Sequence, residues 1–267
     1  MKKKKYGFLF VTFFVAMISC NSNEEIHQKP PQPKSKEALK KIISQYPDSL
    51  MLVQELIEDY RNEASYDSAI ALTNNEIKKD SGNAYLWNMK ATLHFENEDT
   101  LNAIKSLEQA IVIYPLPDYL IALGTIYAEV KSTKSLVIAN ELLRANRAKY
   151  GKDAFFVKGL YNNYIGDKNK AINYFDSSLS LDFTYMFAYR EKAIALYDLR
   201  NYPDALQTLK KAITIQNNFD EGYYWMGKCY EKLHKPDDAI QSYQNALLYD
   251  KNFIEAREAL NRLEAGK

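Results

Sequence analysis

The apolar residues of this chain follow three different patterns along its length. Tyr6–Ile18 form an almost unbroken apolar stretch of 13 residues, which follows four consecutive lysines. A helix needs about 20 apolar residues to cross a bilayer core, so this stretch is too short to span one. Residues 21–35 contain few apolar residues and three prolines, a composition typical of a semi-rigid tether. From residue 36 onward, apolar and small residues repeat at a fixed interval.

The interval of this repeat is 34 residues. It separates the members of two series of small residues, Ala171, Ala205 and Ala239 in one and Gly159, Ala193 and Gly227 in the other. A fixed period of this length indicates stacked supersecondary units that cannot bury their apolar faces alone. Because the closest helix crossings need small side chains, the two series predict tightly packed helix pairs.

The copy at residues 220–253 resembles the tetratricopeptide repeat. Its matching residues are Tyr223, Met226, Gly227, Tyr230, Ala239, Tyr243 and Ala246. Six copies are predicted, at 50–83, 84–117, about 118–151, 152–185, 186–219 and 220–253. In the third copy the register slips by about one residue, because Leu136 stands where alanine is expected. Lone helices at 37–46 and 254–264 are expected to cap the two ends. The resemblance implies an all-α fold, a right-handed α-solenoid of about six helix pairs with flanking capping helices.

The N-terminal pattern is that of an export signal, with a basic start, a short apolar segment and then a small residue. Residues 17–20, Met-Ile-Ser-Cys, resemble the lipobox of bacterial lipoproteins, although that family prefers leucine where Met17 stands. The resemblance implies cleavage before Cys20 and lipid attachment to its sulfur. The alternative is an ordinary signal peptide with an incidental cysteine. The predicted domains are a lipoprotein signal peptide (1–19), a lipidated flexible tether (20–35) and a tetratricopeptide solenoid (36–267).

The residues after Cys20 bear on localisation. Asn21 replaces the aspartate that retains many lipoproteins in the inner membrane, so an outer-membrane lipid anchor is expected. Glu24 and Glu25 resemble the acidic signals of surface-exported lipoproteins of Gram-negative bacteria. Both the periplasmic leaflet and the cell surface remain open.

Charge and candidate chemistry narrow the function classes. Removal of residues 1–19 leaves 31 basic against 34 acidic residues, a balance that gives no reason to expect nucleic acid as a partner. The three histidines, His27, His94 and His234, are dispersed, and Cys229 is expected to be a buried, inert thiol. We therefore expect no enzyme activity, no catalytic residues, no metal site and no cofactor.

The resemblance implies that the first helix of each repeat lines a concave face exposed to a ligand. The matching positions are Tyr85, Asn88, Phe95, Phe156, Asn163, Tyr164, Phe187, Arg190, Tyr197, Tyr224, Trp225 and Lys228. Rigid aromatic rings and arginine are the residues most enriched at binding hot spots. The lysine–asparagine pair with which some repeats of this family hold chaperone C-termini is absent.

These observations predict a membrane-anchored protein–protein interaction scaffold that helps to assemble or position a cell-envelope complex. Its partners are proteins or peptides of unknown identity, and the membrane is reached through the N-terminal lipid. The alternative is a ligand-capture lipoprotein that holds a peptide or glycan in the aromatic groove.

Overall fold

The computed structural model describes residues 35–265, so the predicted signal peptide and lipidated Cys20 lie outside the described residues. Within that range the chain forms thirteen α-helices and no strand: α1 (Lys36–Gln45), α2 (Leu50–Asn62), α3 (Tyr66–Lys79), α4 (Ala84–Glu96), α5 (Thr100–Ile113), α6 (Pro117–Glu129), α7 (Lys134–Ile165), α8 (Lys168–Leu181), α9 (Met186–Asp198), α10 (Tyr202–Ile215), α11 (Asp220–Lys232), α12 (Pro236–Tyr249) and α13 (Ile254–Ala265). The predicted all-α class is confirmed.

The described chain divides into two compact units, and the division falls inside α6, between Ala122 and Leu123. In the first unit, α1 packs on α2, and the pairs α2–α3 and α4–α5 follow in chain order. In the second unit, α8 packs on α7, the pairs α9–α10 and α11–α12 follow, and α13 packs on α12. The lone helices predicted at 37–46 and 254–264 therefore exist, as α1 and α13.

α7 supplies helices to two predicted repeats. Asn146, inside it, has an extended backbone (φ −167°, ψ 100°), which interrupts the helix. Its side-chain oxygen accepts a hydrogen bond from the Lys149 N–H at 3.0 Å, so Asn146 caps the segment that follows. The first helix of the fourth repeat thus begins several residues before the predicted boundary at residue 152.

The turns that join the two helices of each pair share one backbone conformation. Each contains a residue with positive φ, and these residues are Ala64, Glu98, Lys131, Gly166, Arg200 and His234. In five turns the next N–H bonds back to a carbonyl of the preceding helix, as from Lys235 to Tyr230 at 3.0 Å, which satisfies a free helix end. The interval is 34 residues except around Lys131, where it is 33 and then 35. This confirms the one-residue slip in the third repeat.

Small residues allow the helices of a pair to approach closely. A Cβ atom placed on Gly159 would lie 2.4 Å from the Phe175 ring, and one on Gly227 would lie 2.6 Å from the Tyr243 ring. The alanines at the start of the second helices, Ala69, Ala103, Ala171, Ala205 and Ala239, are fully buried. In the third repeat, Ser135 is fully buried while Leu136 is only half-buried. The sequence-based assignment of the small positions therefore holds outside that repeat.

Candidate functional site

The twelve predicted groove residues differ widely in exposure. Tyr85 and Tyr164 are exposed, at 47% and 40%, while Asn88, Phe187, Tyr197 and Lys228 are half-buried. The other six are buried: Phe95, Phe156, Asn163, Arg190, Tyr224 and Trp225. The expectation that these six are exposed to a ligand is therefore wrong, and the reason lies in contacts between successive first helices.

In the second unit these contacts follow an offset of 31 residues. Three of them join Phe156 to Phe187, Arg190 to Glu221 and Glu231 to Arg262. A fourth places the Lys228 Nζ 5.3 Å from the centre of the Tyr197 ring. The repeat itself is 34 residues long. Each of these side chains therefore contacts the residue that lies three positions, about one helical turn, before its equivalent in the next repeat. Large side chains such as Phe156 and Arg190 are therefore covered by residues of the next repeat.

Phe156 shows this covering most fully, with no exposed surface. Its ring centre lies 5.3 Å from that of Tyr185, 5.9 Å from that of Phe175 and 6.4 Å from that of Phe187. These separations and the tilted arrangements are typical of packed aromatic side chains. Phe156 is therefore a core residue and is not available to a ligand.

Arg190 is also occupied within the chain and is only 5% exposed. Its Nη1 donates to both carboxylate oxygens of Glu221, at 2.7 and 2.9 Å, and its Nε donates to Glu191 at 3.0 Å. Burial acts to lower the pKa of Arg190, but Glu191 and Glu221 outweigh burial and raise the pKa above its ordinary value. The guanidinium also lies 5.4 Å from the centre of the Phe187 ring. We refer to Phe187, Arg190, Glu191 and Glu221 as the arginine cluster.

Asn163 has a partner as well. Its side-chain oxygen accepts a hydrogen bond from Lys168 Nζ at 2.7 Å, and the same ammonium pairs with Asp198 at 2.6 Å. Asn163 is therefore occupied within the chain, as Arg190 is.

A second cluster forms where α9, α10 and α11 meet. It consists of Tyr197, Tyr202, Tyr224, Trp225 and Lys228, and we call it the aromatic–lysine cluster. The Lys228 Nζ lies 4.4 Å from the centre of the Trp225 ring, 5.3 Å from that of Tyr197 and 5.7 Å from that of Tyr224. Tyr197 meets Trp225 edge to face at 5.5 Å and Tyr202 at 5.2 Å. An ammonium over several rings is held by cation–π attraction.

The cation of this cluster has no carboxylate partner in the described part of the chain. Burial lowers the pKa of Lys228, while Glu231 and Asp198 act in the opposite direction without reversing the shift. Asp198 pairs with Lys168, and Glu231 accepts hydrogen bonds from Tyr243 and Arg262. The buried indole N–H of Trp225 has no acceptor among residues 35–265. The ammonium therefore lies over a ring whose own N–H donor is also without an acceptor.

The sequence reasoning missed Tyr202 and Tyr243, which belong to second helices. Tyr202 follows the turn after α9, where its ring reaches Tyr197. Tyr243 packs 5.8 Å from Tyr224 from beneath. The sequence did carry a signal for Tyr243, as a matching residue of the repeat, but it indicated a packing role and not proximity to this cluster.

In the first unit, the candidate residues lie on α4. Tyr85 lies beside an open pocket that Tyr114 and Tyr119 also line. The side-chain oxygen of Asn88 is buried and has no donor in the described chain, whereas Phe95 packs inside. Neighbouring Arg61 is neutralised by Glu96, with Nε donating at 2.7 Å, and by Glu58. Tyr85 is therefore the one aromatic candidate of this unit that a ligand can reach directly.

Cys229 is fully buried, and burial raises the pKa of its thiol to about 12. The predicted burial is confirmed, and the raised pKa disfavours the thiolate, which is the reactive form. Residues 35–265 contain no group of three histidine, cysteine or acidic side chains placed to hold a metal ion. Over the same range, no helix is both long and apolar enough to cross a membrane.

Comparison with known proteins identifies the repeats. Family models of the tetratricopeptide repeat match residues 84–115, 193–233 and 220–253, so the chain contains tetratricopeptide repeats over these ranges. The STIP1 homolog of Dictyostelium discoideum is 31% identical over 90 residues, which cover 31% of this chain and 16% of that protein. Human superkiller complex protein 3 is 25% identical over 213 residues, covering 75% of this chain and 13% of that protein. The chain thus spans only a small part of these relatives.

Solved structures show the same fold. A tetratricopeptide repeat protein from Parabacteroides merdae superposes with a TM-score of 0.69 at 16% identity, covering 86% of this chain and 91% of that one. Yeast Tom70 superposes with a TM-score of 0.59 at 14% identity, covering 86% of this chain and 57% of that one. The all-α solenoid fold is confirmed. Repeats of this kind mediate protein–protein interaction and are typically non-enzymatic.

Proposed function

We propose that this chain is a membrane-anchored protein–protein interaction scaffold that helps to assemble or position a cell-envelope complex. Support for the anchor comes from the basic, apolar and cysteine-terminated pattern of residues 1–20. One acyl chain holds a protein on a membrane only marginally, whereas a multiply acylated cysteine gives a stable anchor. The proposed location is the outer membrane, on either the periplasmic or the external leaflet.

The observation that carries the binding function is the aromatic–lysine cluster. Its rings are fixed by contacts with one another, so a partner that packs on them loses little side-chain freedom. Lys228 and Tyr197 are half-buried, which leaves part of each accessible. Half-buried tyrosines, Tyr197 and Tyr202, beside a half-buried cation form the type of surface at which hot spots concentrate.

Crosslinked affinity purification of the full chain from membranes tests this function. We expect a protein partner in stoichiometric amount, and less of it with Tyr197→Ala. Tyr223→Ala is the matched control, because Tyr223 is also half-buried but stacks on Tyr249, outside the cluster. Equal recovery with both variants would contradict the placement of the surface. A bound peptide or glycan in place of a protein would instead favour a ligand-capture lipoprotein.

The anchor is tested separately. Cys20→Ala is expected to leave the exported protein uncleaved or soluble, because no lipid can be attached. Mass spectrometry of the wild-type N-terminus should find a lipidated Cys20. An unmodified N-terminus at another residue would contradict the anchor without affecting the binding proposal.

A further inference from the structure

Lys228 has no acidic partner in the described chain, unlike Arg190 and Arg262 on the neighbouring first helices. At the 31-residue offset, Arg190 meets Glu221, and Arg262 meets Glu231. The residue 31 positions after Lys228 is Ala259, which carries no charge. The two nearest acidic side chains, Asp198 and Glu231, are held by Lys168 and by Arg262. Residues 35–265 therefore offer no unpaired carboxylate to this ammonium.

The indole N–H of Trp225 adds a second, independent observation. Trp225 is 8% exposed, and its Nε1 is buried without an acceptor. A buried donor without an acceptor destabilises the folded protein. Lys228 Nζ lies over the same ring, 4.4 Å from its centre. An acceptor with two oxygen atoms and a negative charge would satisfy both groups.

We infer that the aromatic–lysine cluster is a subsite for a side-chain carboxylate, that of an aspartate or glutamate in an acidic segment of the partner protein. One oxygen pairs with Lys228 Nζ and the other accepts the Trp225 indole N–H. Because Nε1 is covered in the free protein, binding includes a local rotation of the side chains that cover it. The inference rests on the proposed function, since it assigns the chemistry of the partner.

The charge around the cluster favours a carboxylate over a phosphate. Asp198 and Glu231 act electrostatically on Lys228 and Lys232 acts in the opposite direction, so the cluster carries one cation beside two carboxylates. A monoanion matches one cation, whereas a phosphate dianion would also be repelled by these two carboxylates. The rings of Tyr197 and Trp225 exclude water and thereby strengthen a charge-assisted hydrogen bond.

Nuclear magnetic resonance of the two indole N–H groups tests the subsite in the full chain. Trp87→Phe assigns the signals, because Trp87 is the other tryptophan. The probe is N-acetyl-glutamate N-methylamide, and its uncharged match is N-acetyl-glutamine N-methylamide. We expect a saturable downfield shift of the Trp225 signal with the glutamate compound at concentrations up to about 100 mM, a range that covers weak binding. The glutamine compound should bind at least about tenfold more weakly.

Variants decide whether Lys228 is the cation. Lys228→Gln should weaken the response at least about tenfold, and Lys228→Arg should retain it. Lys158→Gln is the matched control, because this half-buried lysine of α7 also lies over a tyrosine ring, that of Tyr174, outside the cluster. An unmoved Trp225 signal, an equal response to the glutamine compound, or an unchanged response in Lys228→Gln would overturn the inference. Tighter binding of glucuronate than of the glutamate compound would overturn it in favour of an acidic glycan.

This readout is independent of the affinity purification. If the indole responds as expected but no protein is recovered, the subsite stands and the scaffold proposal fails. If a protein is recovered but the indole does not respond, the partner binds elsewhere and the inference fails.

Discussion

The arginine cluster and the aromatic–lysine cluster each combine a cation with aromatic side chains. They differ in that only the cation of the first cluster is ion-paired within the described chain. Arg190 is buried and bonded to both Glu191 and Glu221. Lys228 lies over three rings and has no ion pair in the described chain. The difference follows from two positions: Glu191 and Glu221 stand one and 31 residues after Arg190, whereas Cys229 and Ala259 stand at the corresponding places after Lys228.

The comparison shows that a place in the repeat does not determine whether its side chain is available. The neighbour one repeat later, at the 31-residue offset, decides between a core contact and an open group. We call a cluster closed when its cation is ion-paired within the chain and open when it is not. A closed cluster contributes to stability, whereas an open one leaves a charge for a partner. The following changes test this distinction, in order of expected effect.

The largest effect is expected from removal of the closed cation. Arg190→Met leaves Glu191 and Glu221 without their partner in a largely buried place and should cost about 3–5 kcal/mol of unfolding free energy. Lys228→Met, the same replacement in the open cluster, should change it by less than about 0.5 kcal/mol. Urea denaturation followed by circular dichroism measures both. Equal losses would mean that Lys228 is also a structural cation.

Packing beneath the open cluster is tested at Gly227. A side chain there collides with Tyr243, which supports Tyr224, so Gly227→Leu should cost about 1–3 kcal/mol by overpacking. Because coupling in repeat arrays is between neighbours, α11–α12 should lose protection before α8–α9 in hydrogen exchange. Gly82→Leu is the control, since the only atom near its added Cβ is an Asp80 oxygen at 3.6 Å. Unchanged thermal unfolding of Gly227→Leu would contradict the repeat register.

The turns after α9 and α11 should respond to glycine. Arg200 and His234 have φ values of 61° and 56°, which an L-residue adopts at a cost of about 1–2 kcal/mol. Arg200→Gly and His234→Gly should each stabilise the protein by up to about 1 kcal/mol, because glycine also loses more backbone freedom. Gly166→Ala, at φ 95°, should do the reverse. Thermal unfolding of the three variants measures this, and destabilisation by both glycines would contradict it.

The smallest effect is expected in the acid sensitivity of folding stability, which the Lys152–Asp182 pair beside the arginine cluster contributes to. The Lys152 ammonium, 2.6 Å from Asp182, and the Thr184 hydroxyl lower the pKa of Asp182 to about 2. A carboxyl whose pKa is lower in the folded state stabilises the protein above its unfolded pKa of about 3.9. This stabilisation is lost as the pH falls through about 2. Asp182→Asn should therefore show a smaller decrease in urea midpoint between about pH 5 and pH 2 than the wild type. An identical decrease would contradict the role of this pair.

The sequence predicted most of the fold because the repeat is set by local packing. Small residues at a 34-residue interval located the helix pairs, and Leu136 located the register slip that Lys131 confirms. The early start of the fourth repeat was not predicted, because it depends on one side-chain cap at Asn146. Of the left-handed turns, only that at Gly166 has a residue type typical of positive φ, and nothing in the residue type distinguishes Arg200 or His234.

Exposure of the candidate site was the weakest part of the sequence reasoning. Phe156 and Arg190 occupy places that were expected to face a ligand, but residues of the next repeat cover them. The offset that brings these residues together is a property of how repeats stack, and spacing within one repeat does not contain it. The pairing of Arg190 with Glu221 could have been found by comparing the charges of successive first helices.

The pKa of Lys228 is the measurement that tests the open state of its cluster most directly. Nuclear magnetic resonance titration of isotopically labelled lysine side chains in the full chain, with Lys228→Arg for assignment, would determine it. Because burial acts on an ammonium without a partner, the pKa should lie below the usual value of about 10.4. A value at or above the usual one would mean that a carboxylate of the chain already neutralises Lys228, and the cluster would then be closed like that of Arg190.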